Sequence, residues 1–522
     1  MAGNFRYVEN KGFENSENID IWTLGKDRNR VKTYSFEEAV NLTGNGKYNV
    51  GLLATTSLSI LAMSLDMFGF SVVVSGCACE FELNEGRKKI LMSMPLLGAI
   101  IMSYPWGYIS DTRGRRVSLL IAMWGGFVSA ALCAFSTNWI MMAVFKFFST
   151  SFCTCAQSAT YALLGESCPE KVKDFYMFVM TSILNLSFPI YVALGYFSVK
   201  YPFALDFGFI VFSSWRLLAL TLAIPLGLSG ICLLFYCESP KFLLNIGKTE
   251  EALNSLAKIW RWNQGSEKKY PVENLALAED GKVSRGPLCQ SLWEQTAPLF
   301  RKPWLLRTLQ LYFITQVIYS ATNSLFVWFP FLSNAFITGI SSGGENEVKV
   351  EGLCNIITSS HQMNNTDDAL SCVPKTDLAI VWSSLAQGVT FVFISLAISK
   401  VAHRRRTLMI TILTIPGIAC VGSAAITNNV ASLIMFFVIF LCILATGVLF
   451  SYFVALYPTS YRGMAACVAV LVARASGLAG LNLVGTYILA HCDLTFYALA
   501  ANFFCAVVVA WFLPPDNVKK VK

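Results

Sequence analysis

"GYISDTRGRR", Gly107 to Arg116, packs an aspartate, three arginines and two glycines into ten residues. Before it runs "ILMSMPLLGAIIMSYPW" (90–106) and after it "VSLLIAMWGGFVSAALCAF" (117–135), both almost purely apolar. A charged knot between two segments that avoid water is what a short loop between two membrane-spanning helices looks like. A chain reversing over so few residues needs backbone freedom, which Gly107 and Gly114 supply. Arginines at such a boundary anchor the helix ends and hold the loop on the cytoplasmic side. Asp111 is not required by that rule, so it is expected to pair with the arginines or with the positive end of a neighbouring helix.

The rest of the chain agrees with a membrane protein. Only 14% of its residues are charged and 55% are hydrophobic, against roughly a quarter charged in soluble domains. The net charge of +8 is scattered over short segments between apolar runs, which fits topology and not a nucleic-acid surface. Three histidines and no C-x-x-C pair argue against a metal centre, and no cofactor is expected. The N-terminus, "MAGNFRYVENKGFENSENID", has no apolar core, so no cleaved signal is expected.

A crossing needs about 20 mostly apolar residues. Twelve segments qualify, at 48–76, 89–110, 117–136, 139–165, 174–198, 214–237, 305–333, 377–400, 407–427, 430–457, 464–489 and 493–513. The ninth and tenth are separated by "NN" and its neighbours, so a tight turn is expected there. An even count puts both termini on one side. The basic residues of the short loops, among them Arg113, Arg115, Arg116, Lys171, Lys173, Lys400, Arg404 to Arg406 and Arg462, make that side cytoplasmic. Arg87, Lys88 and Lys89 run against the trend.

The expected architecture is all-α. It comprises a cytoplasmic N-terminal segment (1–46), a six-helix bundle (47–237), a cytoplasmic link (238–304), a second six-helix bundle (305–513) and a cytoplasmic tail (514–522). The link carries "TEEALNSLAKIWRW", amphipathic and expected to lie along the membrane surface. An outer loop at 337–376 contains the acceptor pattern "NNT" at Asn364, expected to be glycosylated. Cys354 and Cys372 share that loop, and a disulfide between them is favoured over two free thiols. Two further acceptor patterns, at Asn41 and Asn185, fall inside or within a span and are discounted.

The pattern G-x-x-x-D-x-x-G-R-R between spans two and three resembles the signature loop of the major facilitator superfamily. The resemblance implies that Gly107, Asp111, Gly114, Arg115 and Arg116 form a gating latch with the second half, near Gly463. "CESPKFLL" (237–244) after span six is similar to the endings of sugar porters, organic-ion transporters and the synaptic vesicle glycoprotein two group. "FEEAVNLTGNGKYNV" (36–50), "VWFP" in span seven and "YPTSYRG" (457–463) resemble the last of these. Glu166, Glu238, Arg404, Arg405 and Arg462 are the implied inner-gate residues. The sequence departs from the pattern in span four, where Lys146 replaces the usual arginine, and in the second-half loop "SKVAHRRR", which has no aspartate. The acidic residue before "YPT" is Ala455, and the paired glutamines of sugar porters are missing, with only Gln316 nearby.

An ionisable residue at membrane depth is expensive and points to function. Asp66 in span one, Lys146 in span four and Arg474 in span eleven are the candidates. Asp66 could bind a cation or take up a proton, or could simply pair with Lys146 or Arg474. Tyr319, Trp328, Trp382 and Tyr452 could build an aromatic cage for an organic cation, with Tyr319 and Tyr452 the deeper pair. The expected partners are membrane lipid, a small organic solute and protons, for a chain acting as a monomer in the plasma membrane or a vesicle membrane. Two functions compete: a secondary transporter working by alternating access, and a transporter-shaped glycoprotein that acts in trafficking or as a binding partner. No nucleophile–base or metal constellation supports an enzyme. Asp66 leans toward cations and Arg474 toward anions, and from the sequence the two cancel.

Overall fold

The loop inside the knot is a single residue. In the computed structural model, span 2 (Glu85–Arg113) runs without interruption to Gly114, and span 3 (Arg115–Ala134) begins directly after it. Gly114 takes φ +109°, a backbone state that favours glycine. Gly107 lies inside span 2 and makes no turn, which corrects the expectation that both glycines reverse the chain. The structure describes residues 33–206, 208, 211–265, 270–275, 296–342, 352–355, 357, 378–401, 404–457, 459–488 and 490–514.

The remaining helices of the first half are span 1 (Lys47–Cys77), span 4 (Trp139–Cys153 and Ala156–Ser167), span 5 (Glu170–Asn185 and Ser187–Lys200) and span 6 (Ser214–Leu233). The second half holds span 7 (Leu305–Ser342), span 8 (Leu378–Val401), span 9 (Arg405–Ala425), span 10 (Asn429–Ile439 and Ala445–Leu456), span 11 (Thr459–Tyr487) and span 12 (Cys492–Trp511). Ten helices among the described residues are long and apolar enough to cross a membrane, and spans 7 and 8 complete twelve. At about 1.5 Å per residue, 20 residues match the hydrocarbon thickness.

Local chemistry sets several boundaries. Asn138 accepts from Met141 N at 2.8 Å and opens span 4. Asn428 accepts from Val430 N and Ala431 N, each at 3.1 Å, and makes the expected tight turn into span 10. The break in span 5 falls at Leu186, just ahead of Pro189. A proline cannot donate to the carbonyl four residues back, here that of Asn185. Serines and threonines within spans return their hydroxyls to the preceding turn, as Thr56 does to Leu52 O and Ser59 to Thr55 O, both at 2.9 Å. Such side chains therefore cost little in a medium without water.

Span 1 packs on spans 5 and 6, and span 3 on spans 4 and 6; in the second half span 7 packs on span 11 and span 9 on span 12. The halves meet along span 2 against span 11 and span 5 against span 8. At the end remote from Gly114, Lys89 Nζ donates to Thr486 Oγ1 (3.3 Å) and Asn482 Nδ2 to Ser93 Oγ (3.4 Å) across that seam.

Beside the Gly114 end lies a small layer in which the N-terminal segment and the link pack together. Strand Thr33–Tyr34 pairs in parallel with Asn274–Leu275. The helix Thr249–Gln264 buries Ala252, Leu256 and Ile259 completely, and its apolar face shares a core with Phe36, Val40 and Phe242. This corrects the expectation that the helix lies on the membrane: the chain supplies its own apolar partner in the helix Phe36–Leu42. Asn41 lies in this layer and accepts from Glu170 N at 2.9 Å, at the start of span 5.

The disulfide also departs from expectation. Cys354 is bonded to Cys492, at the start of span 12, with 5.3 Å between their Cα atoms. The segment around Cys354 is held against the turn between spans 9 and 10, where Gly352 N donates to Asn429 Oδ1 at 3.1 Å. That docking carries Cys354 to span 12, 138 residues on in sequence, whereas sharing one loop had suggested Cys372. Cys372 and Asn364 lie outside the described residues.

Candidate functional site

The charged knot is built from four spans of the first half. Asp111 pairs with Arg115 at 3.0 Å, and Arg115 Nε lies 3.1 Å from Glu166 Oε2 at the end of span 4. Arg116 donates to the carbonyls of Leu233 and Leu234 at the end of span 6, at 3.0 and 2.9 Å. Glu238, just beyond span 6, accepts from Arg116 N (2.9 Å) and Val117 N (3.2 Å) and so caps span 3. A carboxylate at a helix N-terminus is favoured by the free N–H groups and the dipole. The Glu238 carboxylate occupies the space a Cβ on Gly114 would need, so this glycine is required by close approach as well as by φ. Ser239 donates to Glu166 and accepts from Phe242 N at 3.1 Å.

Thus "CESPKFLL" and "GYISDTRGRR" are two parts of one structure. Among the described residues, the partners of Asp111, Arg115 and Arg116 lie in the first half and at the start of the link, and none lies in the second half. Gly463 lies in the first turns of span 11, but its surroundings and the side chain of Arg462 are not among those described, so the implied latch to them stays an expectation. Arg404 is exposed and Arg405 half-buried at the start of span 9.

At membrane depth the candidates separate into two groups. Lys146 Nζ is 2.7 Å from Asp66 Oδ1 and also donates to the Asp66 carbonyl, while Ser149 Oγ donates to Asp66 Oδ2 at 2.8 Å. The ammonium also sits 4.8 Å from the centre of the Phe70 ring. Both side chains are about 95% buried. Of the pairings the sequence left open, the structure realises Asp66 with Lys146.

Arg474 is buried without a carboxylate among the described residues. Its Nη2 donates to Gln157 Oε1 in span 4 and its Nη1 lies 3.3 Å from Met67 Sδ in span 1, while its Nε has no described partner. The hydroxyl of Tyr319 lies among Gln157, Thr446 and Arg474. Residues of spans 1, 4, 7, 10 and 11 therefore converge from both halves. Met63, Thr150, Cys153 and Thr154 of the first half surround a small void together with Arg474.

The four aromatics proposed for a cage do not form one. Trp382 is 63% exposed on the outer surface of span 8, and Trp328 is buried with its indole N–H on Leu481 O at 3.2 Å. Tyr452 is buried in span 10. A different aromatic cluster was not foreseen. Phe188 of span 5 packs against Phe329 (4.7 Å between centroids), Phe326 (4.9 Å) and Phe440 (6.1 Å). Phe68 joins through Phe326 at 6.2 Å. The Tyr191 hydroxyl donates to Phe326 O at 3.3 Å. These rings close the seam on the side remote from the knot. Apolar residues in a span carry no sequence signal that separates such a plug from ordinary packing. Gln157 was also missed, and here a signal existed: it is an uncharged polar residue inside a span, where an amide needs a partner.

Comparison with known proteins places this arrangement. The sequence profile of the Major Facilitator Superfamily matches residues 56–481. The synaptic vesicle 2-related protein of Xenopus laevis is 24% identical over 58% of this chain and 48% of its own length. Organic cation/carnitine transporter 7 of Arabidopsis thaliana is 26% identical over 44% of each chain. The chain spans about half the length of the curated relatives it matches. Among solved structures, the E. coli xylose transporter XylE in a partially occluded inward open conformation superposes with a TM-score of 0.62. It is 16% identical and covers 91% of this chain and all of its own. That likeness shows the fold: twelve helices in two six-helix bundles.

Proposed function

The chain belongs to the major facilitator superfamily, a family of transporters and not of enzymes, and from that premise we propose that it is a secondary transporter moving a small organic anion by alternating access. One observation carries the choice of charge. Asp66 is neutralised by Lys146 within the first half, so it offers little to a cationic solute. Arg474 has no carboxylate partner among the described residues, sits between the halves, and keeps an N–H free of described acceptors. A buried guanidinium in that state is an incomplete ion pair, and its planar fork suits a carboxylate or a similar oxyanion. The relatives' names, which include an organic cation and carnitine transporter, support organic ions over sugars and do not decide the sign.

The Asp66–Lys146 pair is the natural seat of proton coupling. A proton on Asp66 leaves Lys146 with an uncompensated charge, and Met67, next in sequence to Asp66, touches Arg474. The site becomes more positive as the proton enters, so proton and anion favour one another. With the knot cytoplasmic and both termini inside, the Phe188 plug and the Lys89–Thr486 contact close the outer end, which is one of the two states alternating access needs. The chain is then an integral multi-pass protein of the plasma membrane or a vesicle membrane, acting as a monomer.

A second reading, a non-transporting membrane glycoprotein, is favoured by one feature: the second-half loop "SKVAHRRR" has no aspartate with which to repeat the knot. Uptake into proteoliposomes separates the two. Labelled organic anions, cations and sugars are offered with and without an inward proton gradient, to wild type, Asp66→Asn and Arg474→Ala. Anion uptake that Arg474→Ala abolishes, and that Asp66→Asn makes insensitive to the gradient, is the expected result. Uptake confined to cations or sugars would overturn the anion reading, and no uptake by folded wild type would favour the second.

A further inference from the structure

We propose that Gln157 is an internal place-holder for the solute: its amide oxygen occupies the Arg474 guanidinium while the site is empty, and an entering oxyanion displaces it. The proposal rests on the anion reading of Arg474 and adds a residue that this reading does not require. A guanidinium has five N–H donors. The described acceptors for Arg474 are the Gln157 amide oxygen and the Met67 thioether, the second of which is a weak acceptor. An amide oxygen has the planar geometry of a carboxylate oxygen but no net charge. It can therefore satisfy the arginine and still lose to an ion, because charge-assisted bonds are roughly twice as strong as neutral ones.

The position gives the exchange a consequence. Gln157 is the second residue of the second piece of span 4, just after the break at Thr154 and Cys155. Arg474 belongs to span 11, so their hydrogen bond crosses from one half to the other. An oxyanion taking the guanidinium releases that tie at the moment the site fills. Span 4 also carries Lys146 and Ser149, which hold Asp66, so solute arrival and the proposed proton site act on the same helix.

The test uses the full-length protein in detergent, with benzoate, a benzenesulfonate and a phosphate monoester as probes. Binding is read by the shift in melting temperature and by fluorescence titration. Gln157→Met keeps the volume and replaces the amide oxygen by a weak thioether acceptor, Gln157→Ala removes both volume and acceptor, and Gln157→Glu ties a carboxylate to the arginine. The expected result is roughly tenfold or tighter probe binding by Gln157→Met and loss of binding by a folded Gln157→Glu. Unchanged or weaker binding by both neutral variants, with wild type binding normally, would overturn the place-holder and leave the anion reading standing. No binding of any probe to wild type or to the neutral variants, all folded, would remove the anion reading and this proposal with it. A merely structural Gln157 predicts weaker binding on removal, never tighter.

Discussion

Lys146 Nζ lies 2.7 Å from Asp66 Oδ1, and both side chains are almost completely buried between spans 1 and 4. Removing one member leaves the other charged in a medium that cannot solvate it. Asp66→Ala should therefore lower stability by about 3–5 kcal/mol, and Asp66→Asn by less, since the amide oxygen still accepts from Lys146 while its NH2 can donate to Ser149 Oγ. The double change Asp66→Asn with Lys146→Met removes both charges and should recover most of the loss. Thermal unfolding in detergent reads all three. A double variant no more stable than Asp66→Ala would mean that the pair is not what holds these spans.

Gly114 and Glu238 depend on one another. Gly114→Ala puts a Cβ where the Glu238 carboxylate lies and forces a strained φ, at about 1–3 kcal/mol. Glu238→Ala removes the cap from span 3, at about 1 kcal/mol. Because the Cβ acts partly by displacing that carboxylate, the two losses should be sub-additive in the double variant. Strict additivity, measured by chemical unfolding, would place the effect of Gly114 in backbone strain alone.

What could be read from the sequence follows from what encodes it. Length and hydropathy specify a span, so eleven of the twelve ranges need little revision; span 7 alone runs well beyond its expected end. Asp66, Lys146 and Arg474 could be singled out because a charge at membrane depth is costly wherever it points. Which of them pair could not, because partner choice depends on the rotation of each helix about its own axis. Periodicity is a poor guide to that rotation in helices apolar on every side. The same limit hid the Phe188 plug. The disulfide failed for another reason: proximity in sequence stood in for proximity in space, and the docking of Gly352 on Asn429 leaves no pattern in the residues between.

Arg216, in the first turn of span 6, is a keystone. The residue is 1% exposed, and its guanidinium donates to Ala134 O (2.9 Å), Ser136 O (2.7 Å) and Val211 O (2.9 Å), with Glu80 at 2.5 Å. Glu80 in turn accepts from Trp215 Nε1 at 2.6 Å and Ser213 Oγ at 3.0 Å. The ends of spans 1, 3 and 6 are joined through this one side chain. An ammonium cannot reach four acceptors in one plane, so Arg216→Lys should destabilise nearly as much as Arg216→Ala, by about 3–5 kcal/mol. Expression level and melting temperature report it. A well-folded Arg216→Lys would show that charge alone suffices there.

The Cys354–Cys492 bond joins the segment after span 7 to the start of span 12. A protease site engineered between the two cysteines, in the turn joining spans 9 and 10, splits the chain into two fragments linked only by that bond. On a non-reducing denaturing gel they should migrate as one species and separate on reduction. Cys492→Ser should separate them without reductant, while Cys372→Ser should not. Loss of the bond should also lower stability by about 2–4 kcal/mol, read as a lower melting temperature in Cys492→Ser and in Cys354→Ser alike. Because Cys354 and Cys372 lie on the same side of the cut, fragments that separate without reductant while all the cysteines are present would return the bond to the pairing suggested by the shared loop. They would also detach span 12 from the segment that follows span 7.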